Sequence, residues 1–185
     1  MKKGIFFALF SMVASACLGQ NTHFYSLEEA MKHPSDVRFL TLDDKGFTEV
    51  PEEIKQFTNI SNLSMRGNSI SEIPGWLWQL NPYFHSADFS DNQIWSIPKE
   101  IGEATYMENL YLSGNQIKKL PSEMKNNWKL KHVYLGDNPL SPKSIIAAFK
   151  WHSGMATLDL KGCAISSDWQ VKIKEEVKAY DLTFE

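Results

Sequence analysis

The stretch Met107-Glu108-Asn109-Leu110-Tyr111-Leu112-Ser113-Gly114-Asn115-Gln116-Ile117-Lys118-Lys119-Leu120-Pro121 sets its apolar residues at 107, 110, 112, 117 and 120. Leu110 and Leu112 stand two apart, so both fall on one face of an extended strand. Beyond Leu112 the chain has to turn, and Asn115 sits at that turn. Its side-chain amide can bond backbone groups that the turn leaves unpaired. Pro121 then holds φ for the segment that follows.

The pattern repeats on both sides. Upstream stand Phe84, Ala87, Phe89, Asn92, Ile94, Ile97 and Pro98, and before them Ile60, Leu63, Met65, Asn68, Ile70, Ile73 and Pro74. A degenerate first copy has Val37, Leu40, Leu42, Phe47, Val50 and Pro51, with Lys45 where Asn is expected. Downstream come Leu130, Val133, Leu135, Asn138 and Leu140, then Met155, Leu158, Leu160, Cys163 and Ile165. The copies begin at 37, 60, 84, 107, 130 and 155, in steps of 23, 24, 23, 23 and 25 residues. A single copy cannot bury its own apolar edge, so neighbours must stack into a solenoid. Asn68, Asn92, Asn115 and Asn138 are then expected to form a ladder, with Cys163 as a small buried substitute.

An open solenoid end would expose the core, so caps are expected at both ends. Ser26-Leu27-Glu28-Glu29 reads as a capping box opening a short helix that packs Leu27, Ala30 and Met31 on the first repeat. At the other end Trp169, Ile173, Val177 and Tyr180 recur at helical spacing, with Ser166 or Ser167 as cap. Ser144–Trp151 reads as a further helix. The expected organisation is a leader over 1–19, a helical cap over 20–36, six repeats over 37–166 and a helical cap over 167–185.

Lys2 and Lys3, an apolar run from Ile5 to Val13 and the small residues Ala14-Ser15-Ala16 match a signal peptide. The run is shorter than the roughly 20 residues that span a membrane. Ala14-Ser15-Ala16-Cys17 resembles a bacterial lipobox, in which Cys17 would carry lipid; ordinary cleavage after Ala16 or Gly19 is the alternative. The two cysteines, Cys17 and Cys163, lie five strand steps apart, about 24 Å at the usual spacing. That is too far for a disulfide. Formal charge over 185 residues is −3, and no basic stripe is visible along the chain, so nucleic acid is not an expected partner.

Alternation assigns the third, fifth and seventh residues of each repeat to the exposed face of the sheet. Tyr111 and Tyr134 hold the same position in adjacent strands, beside Asp88 and His132. With Arg66 and Asp137 they form the candidate partner-binding set, since exposed tyrosine favours interfaces. Simple cross-strand stabilisation is the competing account of the tyrosines. Trp76 and Trp78 are expected partly outside, with Leu77 and Leu80 facing inward. Phosphate loops, zinc-binding His-Glu-x-x-His and Gly-x-Ser-x-Gly elbows are all missing from the sequence, and no catalytic, cofactor or metal residues are assigned.

These motifs resemble leucine-rich repeat proteins over about 37–165, in the class with a step near 23 residues and Ile-Pro or Leu-Pro after the turn. The resemblance implies an α/β leucine-rich repeat solenoid: a short curved parallel sheet on the concave face, loops and short helices on the convex face, and helical caps. It also implies non-enzymatic protein binding through the concave face. The expectation is an exported, monomeric, bacterial binding module, secreted, periplasmic or lipid-anchored at the envelope. Its membrane contact would come only through the leader or the lipid. A structural or self-associating envelope component, or an enzyme inhibitor or accessory subunit, is the alternative.

Overall fold

The computed structural model describes residues 22–185. The leader, Cys17 and both cleavage sites lie outside them. Eight short strands form one parallel sheet whose order follows the chain. They are β1 (His23–Phe24), β2 (Phe39–Thr41), β3 (Asn62–Ser64), β4 (Ser86–Asp88), β5 (Asn109–Tyr111), β6 (His132–Tyr134), β7 (Met155–Asp159) and β8 (Ala179–Thr183). The register aligns Leu40, Leu63, Ala87, Leu110, Val133 and Leu158 as successive partners. All six are buried, and each strand's side chains alternate between this core and the concave face.

The return path across the convex side is a 3-10 turn in four repeats: Glu52–Gln56, Gly75–Gln79, Lys99–Glu103 and Ser122–Asn126. Each follows a proline, at 51, 74, 98 and 121, with φ between −60° and −70°. That is the torsion the pyrrolidine ring imposes. Helix α2 (Pro142–Phe149) takes this place in the fifth repeat. It begins two residues earlier than the spacing suggests, because Pro142 suits a first helical turn.

The asparagines tie one repeat to the next. Asn115 Nδ2 donates to the carbonyls of Phe89 (2.9 Å), Leu112 (2.9 Å) and Ser113 (3.3 Å), and its Oδ1 accepts from Ile94 N (2.9 Å). Asn68, Asn92 and Asn138 are bonded in the same manner. Cys163 Sγ reaches the Leu135 carbonyl at 3.3 Å, and burial pushes its thiol pKa up. Each amide thus meets backbone groups that burial would otherwise leave unpaired.

A second inner row runs along the convex side: Phe57, Asn81, Ala104, Asn127 and His152, each three residues before the next repeat begins. Asn81 Nδ2 donates to the Ile60 carbonyl (3.0 Å), and Asn127 Nδ2 to those of Ile101 (2.8 Å) and Ala104 (2.9 Å). This row corrects the expectation for the tryptophans. The repeat that begins at 60 is one residue longer than its neighbours on either side, so Asn81 enters the inner row and Leu80 is displaced to a half-buried place. Trp78, expected partly outside, is 1% exposed and meets Phe84 edge-on at 6.0 Å. Trp76 remains half-buried, with Lys55 Nζ 4.9 Å from its ring.

Both caps contain a helix and a strand. At the start, Ser26 Oγ accepts from Glu29 N (3.2 Å) to open α1 (Leu27–Ala30), while β1 extends the sheet. At the end, α3 (Ser167–Glu176) covers the last repeat with Ile173 and Val177. Ser166 is its N-cap but makes no side-chain capping bond. Tyr180 does not continue the helix: Val177 is already extended, and Tyr180 lies on β8, 93% exposed. Among the described residues no helix is long and apolar enough to cross a membrane.

Candidate functional site

Parallel register turns equal positions in successive repeats into straight rows across the concave face. The central row reads Thr41, Ser64, Asp88, Tyr111, Tyr134, Asp159 and Thr183. Tyr111 and Tyr134 stack with ring centroids 4.9 Å apart and planes 6° from parallel. Asp88 adjoins one ring and Asp159 the other, so a carboxylate stands at each end of the aromatic pair. Partial burial raises the Tyr111 pKa, and Tyr134 and Asp88 raise it further. Its phenol therefore keeps its proton and stays a hydrogen-bond donor.

The carboxylates also brace the sheet. Asp88 Oδ1 accepts from Ser90 N (2.9 Å). Asp159 Oδ1 accepts from Thr183 Oγ1 (2.6 Å) and Lys161 N (3.2 Å). One oxygen of each is thereby fixed, and the carboxylate is held in place before any partner arrives.

The other candidate residues fall elsewhere. His132 lies in the neighbouring row, and its Nδ1 is 3.2 Å from Thr157 Oγ1. Arg66 donates through Nε to Asp91 Oδ2 at 2.9 Å, near the turns that follow the strands. Asp137 occupies the next turn but one, with φ 53°, and its carboxylate lies against Gly162 of the following repeat. The structure therefore joins Asp88, Tyr111 and Tyr134 in one row, sets His132 beside it, and places Arg66 and Asp137 on the rim.

Sequence reasoning assigned Phe39, Thr41, Ser64 and Ser86 to this face but overlooked His23, which closes its N-terminal end. A shallow depression of about 330 Å³ runs from His23 and Phe39 past Thr41, Ser64 and Ser86 to Asp88 and Tyr111. His23 Nε2 is 2.9 Å from Thr41 Oγ1, and the His23 ring stacks on Tyr25 at 4.3 Å. Strand β1 is two residues long and lacks the apolar spacing that marks the repeats. Asp159 was visible as an exposed position, but its place opposite Asp88 emerges only once the row is assembled. Among the described residues, no group of three or more His, Cys, Asp or Glu is arranged to hold a metal ion.

The Leucine Rich Repeat family model matches residues 106–127, the copy centred on Asn115. Receptor-like protein 7 of Arabidopsis thaliana is 34% identical over 62 residues, which cover 33% of this chain and 6% of that protein. An internalin of Listeria monocytogenes superposes with a TM-score of 0.68 at 22% identity, over 91% of this chain and 46% of its own. A chain of the BIR3–SERK2 complex of Arabidopsis thaliana superposes at 0.52 with 26% identity, over 69% and 73%. The chain thus spans a small fraction of the receptor-like protein and under half of the internalin. The family model meets one copy, and the copies on either side stack upon it in the same register: the chain is a leucine-rich repeat protein.

Proposed function

We propose that this chain is an exported, non-enzymatic binding module that takes a protein partner on its concave face, centred on Asp88, Tyr111, Tyr134 and Asp159. The observation that carries the reading is the stacked tyrosine pair with a carboxylate at each end. Two tyrosines stacked only to stabilise the sheet would need no such surroundings. An accessible aromatic pair offers large contact area at low entropic cost, and Tyr is enriched where interfaces concentrate their energy. Acidic groups at both ends favour a basic side chain in the partner, laid across the rings or paired with a carboxylate. The likeness to a chain from a protein–protein complex supports a binding role for the fold. Export rests on the leader-like residues 1–19, with Cys17 as lipid-bearing residue or ordinary cleavage as the two routes.

The test is affinity capture from the envelope and medium of the source organism, comparing the wild-type chain with Tyr111→Ala/Tyr134→Ala. The expected result is a partner retained by the wild type and lost by the variant, while both melt cooperatively. Equal capture by both would remove the tyrosines from the site. Concentration-dependent mass in light scattering would favour a self-associating envelope component. Stoichiometric arrest of a captured enzyme's turnover would favour an inhibitor.

A further inference from the structure

Away from the concave face, one edge of the solenoid carries aromatic and basic side chains in succession. Tyr83, Tyr106 and Lys129 each stand immediately before the first apolar residue of a repeat, and so follow one another from repeat to repeat. Tyr83 and Tyr106 meet edge-on at 5.1 Å. Lys129 Nζ lies 3.5 Å from the centre of the Tyr106 ring and 5.1 Å from that of Trp128. Trp128 is 65% exposed and Trp151 is 71% exposed. His152 donates through Nε2 to the Asn127 carbonyl at 3.0 Å, which sets the Trp151 segment beside the Trp128 segment. Lys150 Nζ is 4.8 Å from the Trp151 ring.

Formal charge is polarised along the sequence, and Trp128, Lys129 and Lys150 lie in its basic stretch. Residues 118–150 hold seven lysines against Glu123 and Asp137, a local formal charge of +5. Residues 22–117 hold six Lys or Arg against fourteen Asp or Glu, a charge of −8. The overall −3 conceals both. A basic surface bearing exposed tryptophans has the chemistry of groups that settle at a bilayer boundary, with rings at headgroup depth and ammonium groups on lipid phosphates. Single-stranded nucleic acid shares the charge requirement but stacks its bases on open ring faces. Here Lys129 covers the face of Tyr106, and Lys129 and Lys150 sit over the indoles. Lysines so placed can still reach phosphates while the ring edges enter the interface.

We propose that the edge formed by Tyr83, Tyr106, Trp128, Lys129, Lys150 and Trp151 is a peripheral docking surface for an anionic lipid bilayer. It works independently of the concave face and leaves that face open to a protein partner.

The test is co-sedimentation of the full chain with vesicles of phosphatidylcholine alone or mixed with phosphatidylglycerol. The leader, with Lys2 and Lys3 ahead of its apolar run, contributes equally to wild type and to every edge variant, so the comparison between them isolates the edge. The edge should add a component specific to the anionic vesicles and weakened by salt. Lys129→Glu/Lys150→Glu and Trp128→Ala/Trp151→Ala should each lower that component about tenfold. Tyr111→Ala/Tyr134→Ala should leave it unchanged, which separates this surface from the concave one. All substituted edge residues are exposed or at the rim, so melting curves should stay close to wild type. Equal binding to both vesicle types overturns the proposal, as does an anionic component that both edge variants retain. Binding to heparin or to oligonucleotide in place of vesicles also overturns it and assigns the edge to a polyanion.

Discussion

At the scale of single residues, the solenoid rests on polar side chains buried where an apolar one would fail. His152 is the most exacting of them. It is 4% exposed, packs against Phe149 at 5.6 Å, and bonds the Asn127 carbonyl through Nε2. A carbonyl can only accept, so the ring proton sits on Nε2, and buried Nδ1 has no partner. Protonating Nδ1 would place an unpaired charge in the interior. Burial therefore lowers the His152 pKa from 6.5, partly opposed by the nearby backbone carbonyls of Asn127 and Phe149. The sign follows from linkage. Below about pH 6.5 the unfolded chain binds the proton more readily than the folded one, so stability falls with pH in that range. The contribution is complete above the unfolded pKa and shrinks as pH falls toward the lowered folded value. Thermal midpoints from about pH 8 to pH 5 should therefore decline on the acid side. His152→Gln, which keeps a donor for Asn127, should show a shallower decline than wild type. Identical slopes would mean that His152 titrates normally in the fold.

At the scale of elements, the turn after each strand shows a pairing of repeats. Its eighth position is Asp44, Gly67, Asp91, Gly114, Asp137 and Gly162 in order, and all six are left-handed, with φ from 53° to 69°. Each aspartate carboxylate lies against the glycine of the next repeat, where a Cβ would stand: Asp44 against Gly67, Asp91 against Gly114, Asp137 against Gly162. Asp tolerates this backbone region better than most side chains, and Gly occupies it freely. Gly114→Ala should cost about 1–3 kcal/mol in chemical denaturation, combining left-handed strain with the approach of its Cβ to Asp91 Oδ1 at 2.6 Å. Adding Asp91→Gly should restore part of that loss by clearing the space. A double variant no better than additive would show that strain alone is responsible.

This alternation was present in the sequence but invisible to a search for apolar spacing, because neither residue is apolar. The repeats themselves were legible because Leu110 and Leu112, and their equivalents, obey a two-residue period that survives substitution by Ala87 or Val133. Trp78 was misplaced because one inserted residue moves Asn81 into the inner row, and a shift of one position changes which side chain faces in. Strands β1 and β8 escaped because they carry no repeat signature. The tyrosine pair could be read in advance from equal positions in adjacent copies. The depression at His23 and Phe39 could not, since it needs β1.

At the scale of the whole molecule, the array is one-dimensional: each strand pairs only with its neighbours in sequence, and stability passes along the stack. The C-terminal cap therefore guards its own end first. Ile173 is fully buried beneath α3, α3 packs on α2, and β8 pairs with β7 from Met155 to Asp159. Ile173→Asp removes a buried aliphatic chain, a loss of roughly 2–5 kcal/mol for truncation alone. It also forces a carboxylate to detach the helix or accept its proton. Opening the last repeat in this way should leave the first repeats largely intact, since none of them touches α3 directly. Hydrogen exchange should then accelerate in β7, β8 and α2 while β2, β3 and β4 keep most of their protection. Uniform loss across all eight strands would instead mean that the asparagine ladder couples the stack into one cooperative unit. In that case the bonds from each amide into the preceding repeat, such as Asn138 Nδ2 to the Leu112 carbonyl at 2.8 Å, would set the unfolding unit of the molecule.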